Sequence, residues 1–519
     1  MTTASRDRQQ QPTIEAARHA FARGDIAATE LICAQVLACR ADDWSAWCLL
    51  TETALLRGRI DAAIVCTERA VALSHANPIS LILRAKCLYL DGKARQALEA
   101  AEAAEANVGN APEALDALGA IFGLLGLHDR AKSLLLRAVA SRADVPQYLF
   151  NLAATERMVG ALADAEAHCD AGLALDQAYG LAHYLRADLR IQSKDRNHVA
   201  EMEAILSERK LSPPSEIMVR FALGKECEDL ERYERAFDHV EAGCALQRRL
   251  LGETRSGVAE IEQIIGTHTQ NWVESAPAGH AGAKPVFVIG LPRTGTTLVE
   301  RILASHPAMS SVGETSAFAA ALRHATANGE ARGDPASLGR SYMEASAYRL
   351  PPNALFVDKT LENYLYCGLI HAALPEAKII LVQRRPMDAC WAMYKAHFQG
   401  KFAFSYDQVE VAEYFLAFRR LSQHWKRVLP PHALLEINYE DIVRDQEAAS
   451  RAMMGFVGLG WDADVLRFHQ SPAPSATASA AQVRRPIYAS SIGKWRHHAP
   501  GLTALRERLL RELPEAELI

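Results

Sequence analysis

The chain has 519 residues, 49% of them hydrophobic and 23% charged, with a formal net charge of −5 at pH 7. A chain of this length is expected to form two or three domains, each with its own core. Its mildly acidic balance argues against a protein that coats nucleic acid. Ten cysteines without a CxxC pair or zinc-type spacing predict reduced thiols and a cytoplasmic location. We expect no export signal and no membrane span, because the sequence lacks long apolar runs.

The first half of the chain is expected to consist of helical repeats. A polar stretch at residues 1–10 is expected to be disordered, and residues 11–265 carry helical periodicity. Glycines recur in one register every 34 residues, and alanine follows the last four of them by five residues. Each unit is therefore predicted to be a helix, a glycine turn and a second helix. These glycines are Gly24, Gly58, Gly92, Gly126 and Gly160.

This pattern resembles tetratricopeptide repeats, which stack into a solenoid with a concave groove. The segment LGKECEDLERYERAF, with Ala236 in the place of the recurring alanine, looks like a divergent last repeat. Repeats of this kind act as spacers or hold a peptide or protein in the groove, and the pattern leaves both roles open.

The second half of the chain changes character after a linker. Residues 266–284 are rich in Gly, Ala and Pro and are expected to form that linker. Through residues 285–519, short apolar runs alternate with helical stretches, which predicts an α/β domain of the P-loop type with a parallel sheet. The runs are VFVIG, ALFVD, KIILVQ and ALLEIN.

Cationic residues follow these apolar runs. The loop GLPRTGTTL at residues 290–298 has the glycine spacing of a phosphate loop, but Thr296 stands where a nucleotide kinase carries lysine. Lys359 follows the second run, and Arg384 follows the third. Because parallel strands present their carboxyl ends at one edge, these groups predict a polyanion site. Arginine stands where a kinase needs a magnesium ligand, so no metal is expected.

Three segments resemble PAPS-dependent sulfotransferases, which transfer a sulfonate from 3′-phosphoadenosine 5′-phosphosulfate (PAPS) to a hydroxyl. The loop GLPRTGTTL and the segment QRRPMDACWAMY are similar to the family's two phosphate-binding segments. The tail TASAAQVRRPIYASSIGKWR is similar to that of bacterial members with N-terminal tetratricopeptide repeats. The resemblance implies PAPS as the cofactor, no metal, and an acceptor hydroxyl on a tyrosine of a peptide or protein, a saccharide or a small molecule.

The resemblance also implies site residues. Glu314 takes the place of the general base, and Lys359 and Arg293 are expected to stabilise charge on the sulfonate. Arg384 is expected to hold the 3′-phosphate, and Asn363 to orient the acceptor. Residues expected to bind the nucleotide are Pro292, Arg293, Thr294, Gly295, Thr296, Thr297, Arg384, Tyr439, Ser479, Arg485 and Lys494.

Three positions depart from the family pattern. Leu361 stands where cytosolic aryl sulfotransferases carry their catalytic histidine, which leaves Glu314 as the base, with His306 and His397 as weaker candidates. Ala392 replaces a serine that contacts the 3′-phosphate, and Ser316 replaces an arginine that tyrosylprotein sulfotransferases use for acidic peptides. The alternative is a non-catalytic adaptor with a degenerate nucleotide domain, and a nucleotide kinase is a third hypothesis. Oligomeric state, including a homodimer, is left open.

Overall fold

The computed structural model describes residues 12–75, 77–208, 211–253, 256–326, 334–351, 354–477 and 479–518. The expected disorder of residues 1–10 concerns a stretch outside these ranges. Contacts divide the chain into two compact units, Met1–Arg142 and Ala143–Ile519. This division differs from the expected boundaries, since the helices between residues 143 and 265 group with the C-terminal sheet.

The first unit consists of helical hairpins, as the repeat pattern predicts. Gly24, Gly58, Gly92 and Gly126 lie in the turns with φ of 75°, 68°, 82° and 72°, a backbone region that glycine adopts without a steric penalty. The recurring alanines, such as Ala63 and Ala97, are fully buried where the paired helices meet. The helices are α1 Ile14–Ala22, α2 Ile26–Cys39, α3 Trp44–Leu56, α4 Ile60–Ser74, α5 Pro78–Leu90, α6 Ala94–Asn107, α7 Pro112–Leu124 and α8 His128–Ser141.

The second unit begins with further helices of the same kind. Gly160 forms the turn after its first helix, with φ of 91°. In the divergent last repeat, Glu231 takes the glycine's place five residues before the buried Ala236, and it adopts φ of 58°. The helices are α9 Pro146–Val159, α10 Leu162–Leu175, α11 Gly180–Asp188, α12 Val199–Glu208, α13 Pro213–Asp229, α14 Tyr233–Leu251, α15 Val258–Thr267 and α16 Gln270–Glu274. The last of these lies within the expected linker.

A five-stranded parallel sheet follows, in the order β2-β3-β1-β4-β5. The four predicted runs form β1, β3, β4 and β5, and β2 is an additional edge strand. Since β1 lies between β3 and β4, the chain reverses its direction of travel across the sheet at β1, where ligands of such sheets bind. The strands are β1 Val286–Ile289, β2 Met309–Gly313, β3 Leu355–Asp358, β4 Lys378–Gln383 and β5 Leu434–Asn438.

Alternate side chains of the strands enter two cores. Phe287 and Ile289 of β1 face a core that also contains Phe221 of α13, whereas Val286 and Val288 face the opposite core. The shared core explains why the last repeats and the sheet form one unit. The remaining helices are α17 Thr296–Ala304, α18 Ala317–Thr326, α19 Pro335–Ser346, α20 Cys367–Ala373, α21 Pro386–Tyr394, α22 Gln408–Val428, α23 Tyr439–Arg444, α24 Gln446–Val457, α25 Thr503–Leu510 and α26 Glu515–Leu518.

Short 3₁₀ segments connect these elements at Leu361–Leu365, Ala403–Tyr406, Ala463–Gln470, Gln482–Arg484 and Lys494–Leu502. Across the described ranges, no helix combines the length and hydropathy that crossing a bilayer requires.

Candidate active site

The glycine-rich loop joins β1 to α17 at the carboxyl edge of the sheet. Arg293 has φ of 66° and Gly295, the residue before the first turn of α17, has φ of 105°. A Cβ on Gly295 would lie 2.6 Å from a ring carbon of Tyr439. Glycine therefore lets the loop approach this ring, and the first-turn amides of α17, at Thr296 and Thr297, provide the positive end of the helix.

Arg384, at the end of β4, contacts this loop directly. Its Nη1 donates to the Arg293 carbonyl oxygen at 2.9 Å, and its Nη2 donates to the Ser491 carbonyl oxygen at 2.8 Å. The guanidinium lies 4.8 Å from the ring centre of Tyr439, whose hydroxyl is 2.8 Å from Ser491 Oγ. Among the described residues, no group pairs with the buried Nε of Arg384. An anion at this edge would satisfy that donor.

The tail covers the other side of the loop. Arg293 donates from Nη1 to Ser479 Oγ at 2.6 Å and from Nη2 to Gln482 Oε1 at 3.0 Å. Thr297 Oγ1 lies 3.3 Å from Thr477 Oγ1. Ser479 thus contacts the loop through the side chain of Arg293.

Two further loop residues serve the loop itself. Thr294 is buried and its hydroxyl donates to the Leu291 carbonyl oxygen at 2.7 Å, so it fixes the turn rather than pointing outward. Pro292 is also buried.

Glu314 and Lys359 come together at the ends of neighbouring strands β2 and β3. Lys359 Nζ donates to Glu314 Oε1, and the Lys359 amide donates to the Gly313 carbonyl oxygen at 2.9 Å. The Lys359 side chain is 1% exposed, whereas that of Glu314 is 40% exposed. A buried ammonium thus holds a carboxylate that solvent can reach.

The buried Asp358 holds the backbone next to Glu314 and Lys359. It accepts hydrogen bonds from the Tyr342 hydroxyl at 3.0 Å, the Thr315 hydroxyl at 3.2 Å and the Thr360 amide at 2.9 Å. Burial raises the pKa of this carboxyl. Because Thr315 follows Glu314 and Thr360 follows Lys359, these bonds set the backbone that presents both groups.

Lys494 has a partner that the sequence did not indicate. Its Nζ donates to Glu228 Oε2 at 2.8 Å, and Lys395 Nζ contacts the same carboxylate at 2.6 and 2.7 Å. Lys395 lies three residues after Ala392, about one helical turn along the same face. Sequence reasoning missed Lys395, Ser491 and Gln482. For Lys395, the spacing from Ala392 was the available signal.

The remaining candidates make local contacts. The Arg485 amide donates to the Gln482 carbonyl oxygen at 3.3 Å, which fixes the backbone of the tail. Asn363 is 2% exposed, and within the described ranges its Nδ2 has no hydrogen-bond partner. His306 caps a turn through the Ala308 amide, which donates to its Nδ1 at 3.1 Å.

His397 has a structural environment. The Gln399 amide donates to its Nδ1 at 3.3 Å, and its Nε2 lies 3.1 Å from Gln247 Oε1. Burial lowers the pKa of this imidazole to about 4. Two aromatic residues further along the chain also pack against each other, since Phe404 stacks on Tyr414 with ring centres 3.8 Å apart.

The match to known proteins agrees with this geometry. Residues 285–463 match the family model described as "Sulfotransferase family". This part of the chain is therefore similar to the sulfotransferase family. Its family segment contains the glycine-rich loop, Glu314, Lys359, Arg384 and Tyr439, so most of the site lies within it.

Two curated relatives extend the comparison. An uncharacterized protein of Aquifex aeolicus is 28% identical over 331 residues, which cover 59% of this chain and 43% of the relative. Protein-tyrosine sulfotransferase 2 of Gallus gallus is 22% identical over 251 residues, which cover 42% of this chain and 64% of the relative. The chain therefore spans less than two thirds of the length of either protein.

The helical region is also similar to a solved structure. A tetratricopeptide repeat protein of Thermus thermophilus is 20% identical to this chain over the matched region, with a TM-score of 0.31. The match covers 34% of this chain and 96% of that protein. The assignment of this region as tetratricopeptide-type repeats rests on the glycines spaced 34 residues apart and on the helical hairpins whose turns contain them. The chain thus combines tetratricopeptide-type repeats with a domain that is similar to the sulfotransferase family.

Proposed function

We propose that this protein transfers a sulfonate from PAPS to an acceptor hydroxyl. The observation that carries the proposal is the contact between Arg384 and the Arg293 carbonyl at 2.9 Å. It brings the loop suited to a 5′-phosphate and the arginine suited to a 3′-phosphate within the span of one nucleoside. The Nε of Arg384, which has no partner among the described residues, and the close approach of Gly295 to Tyr439 support the same ligand.

The residues divide the chemistry between them. PAPS supplies a sulfonate whose sulfur–oxygen bond to the 5′-phosphate breaks as the acceptor oxygen bonds to sulfur. The amides of Thr296 and Thr297 hold the 5′-phosphate that leaves, and Arg293 neutralises its growing charge. Glu314 accepts the hydroxyl proton, and Lys359 stabilises charge on the sulfonate oxygens.

The ion pair between Glu314 and Lys359 suits both roles. Lys359 is almost fully buried, so we expect its ammonium to stay in place when the carboxylate turns towards an acceptor. The exposure of Glu314 leaves an oxygen open to that acceptor. The adaptor hypothesis rested on Ala392, and Lys395 supplies a cation close to that position, which favours an active enzyme.

We infer an acceptor hydroxyl on a peptide or protein tyrosine, a saccharide or a small molecule. Ser316 stands where tyrosylprotein sulfotransferases carry an arginine for acidic tyrosine peptides. We therefore keep saccharides and small molecules as acceptor classes alongside tyrosine peptides. The reaction requires no metal in this scheme.

Incubating the full chain with sulfur-35-labelled PAPS and fractionated cell extract tests the proposal. We expect a labelled product that disappears when excess adenosine 3′,5′-bisphosphate is added. Label transfer that needs ATP and magnesium, or a chain that binds neither PAPS nor adenosine 3′,5′-bisphosphate, would contradict it.

A further inference from the structure

Four side chains, two of them buried and two partly buried, meet within the second unit in what we call the Glu228 cluster: Glu228, Lys395, Lys494 and His498. Glu228 lies near the end of α13, Lys395 directly follows α21, and the other two belong to the tail. The carboxylate of Glu228 lies 2.6 Å from Lys395 Nζ, 2.8 Å from Lys494 Nζ and 3.2 Å from His498 Nε2. A repeat helix thus binds two lysines of the sulfotransferase half.

The charges in this cluster do not balance. Burial opposes ionisation of Glu228, which is 8% exposed, but attraction to Lys395 and Lys494 outweighs it and holds the pKa of the carboxyl well below its usual range. Burial also lowers the pKa of Lys395 to about 8, and Arg293 contributes to this lowering. One carboxylate therefore pairs with two ammonium groups, and the guanidinium of Arg293 adds a further positive charge.

The cluster adjoins the candidate nucleotide site. Arg384 binds the Ser491 carbonyl, and two residues later the Gly493 amide donates to both carboxylate oxygens of Asp388 at 2.9 Å. Lys494 follows at once, so the tail runs along α21 from Arg384 to the cluster. Consecutive Cα atoms are about 3.8 Å apart, so the Cα atoms of Ser491 and Lys494 lie within about 11 Å of one another.

We propose that Glu228 is a competing anion at the two ammonium groups of Lys395 and Lys494, and that the 3′-phosphate displaces this carboxylate when the nucleotide binds. The inference rests on the proposed function. A phosphate dianion and a buried carboxylate at the same two ammonium groups would repel one another. Nucleotide binding therefore loosens the last repeat from the tail, and by linkage any displacement of α13 tightens nucleotide binding.

Calorimetric titration of the full chain tests this inference. Adenosine 3′,5′-bisphosphate should bind Glu228→Gln about five-fold or more tightly than it binds the unmodified protein. The affinity for 5′-AMP, which lacks the 3′-phosphate, should not change. Lys395→Gln should weaken binding of the bisphosphate only. The control is Glu216→Gln on the same helix, whose carboxylate pairs with Arg220 at 2.6 Å, and its affinities should match those of the unmodified protein.

The outcomes separate the two proposals. Bisphosphate binding that is equal or weaker in Glu228→Gln, or tightening that 5′-AMP shares, would overturn this inference and leave the proposed function standing. Absence of bisphosphate binding to the unmodified protein would overturn both.

A second measurement needs no variant. Hydrogen exchange of the unmodified chain should become faster near the C-terminal end of α13 when the bisphosphate is added, because the carboxylate loses its partners. Unchanged or slower exchange there would contradict displacement of Glu228, even if Glu228→Gln failed to fold.

Discussion

Glu314 and Lys359 meet because β2 and β3 are neighbouring parallel strands whose carboxyl ends lie side by side. The lysine is buried and the carboxylate is half exposed, which separates a fixed cation from a group that an acceptor reaches. This difference in exposure is the reason for assigning proton transfer to Glu314 and charge stabilisation to Lys359.

Glu314→Gln removes the proton acceptor and keeps the shape of the side chain. We expect turnover to fall about 100-fold or more, while the affinity for adenosine 3′,5′-bisphosphate stays nearly constant. Single-turnover kinetics with labelled PAPS and calorimetry measure the two quantities. Glu362→Gln is a matched control, since that carboxylate is 36% exposed and pairs with Lys401 at 2.8 Å. Equal turnover in the Glu314 variant would remove this residue from the base role.

His397 makes a pH-dependent contribution to stability. Its pKa falls from 6.5 to about 4 on folding because the imidazole is buried, so the unfolded chain binds the proton more readily. The contribution is present above pH 6.5 and is lost as the pH falls towards 4. Acid therefore acts on this residue through folding and not through proton transfer to an acceptor.

Replacing His397 by Gln should remove that acid sensitivity. Between about pH 7 and about pH 5, the unmodified protein should lose about 2 kcal/mol more free energy of unfolding than His397→Gln does. Denaturant titrations at both pH values measure this difference. The exposed His432 offers a control, and His432→Gln should follow the unmodified protein. Parallel pH profiles for the His397 variant and the unmodified protein would show that burial does not shift this group.

At the scale of elements, the turn between α13 and α14 combines a strained residue with a functional neighbour. Glu231 occupies the position where the other repeats place glycine, and its φ of 58° is costly for a residue with a Cβ. Glu231 lies three residues after Glu228, so the strain lies close to the carboxylate that we expect the nucleotide to displace.

Glu231→Gly should stabilise the second unit by about 1 kcal/mol, because the left-handed conformation no longer carries a steric penalty. Glu241→Gly, at an exposed site inside α14, should destabilise the unit by about the same amount. Thermal unfolding of both variants gives the comparison. A loss of stability in Glu231→Gly would show that the side chain contributes more than its backbone costs.

The elements also show what local sequence predicts. The apolar runs that became β1, β3, β4 and β5 are recognisable because buried strands need continuous hydrophobic residues. Strand β2, with the sequence MSSVG, lies at the sheet edge and is only partly buried, so it has no such run. The glycine turns were predictable because the left-handed backbone conformation favours glycine. The turn at Glu231 was not predicted, because this residue adopts the same conformation although it is not a glycine.

For the whole molecule, the site is assembled from segments that are far apart in the sequence. The loop, Arg384 and Lys359 were predicted because each follows a strand whose carboxyl end faces the same edge. The pairing of Glu228 with Lys494 was not, since the two residues are separated by 266 positions and no local pattern encodes an ion pair across that distance. The same holds for Arg293 and Ser479, which meet only after the tail folds over the loop.

The unit boundary follows from this assembly. The core around β1 includes Phe221 of α13, and the Met158 carbonyl of α9 accepts hydrogen bonds from the Ser475 amide and from Arg484, both at 2.9 Å. Apolar burial and these polar contacts join the last repeats to the sulfotransferase domain. Repeats and domain therefore act as one folded body in the second unit.

The central claim is that the carboxyl edge of this sheet binds a nucleoside with phosphates at both its 3′ and 5′ positions. Calorimetric titration of the full chain with adenosine 3′,5′-bisphosphate and with 5′-AMP tests this claim. The same titrations of Arg384→Ala test whether Arg384 recognises the 3′-phosphate. We expect the bisphosphate to bind in the micromolar range or more tightly, about 100-fold better than 5′-AMP, and most of that preference to disappear in Arg384→Ala. Equal affinities for the two nucleotides, or tighter binding of ATP with magnesium, would contradict the account.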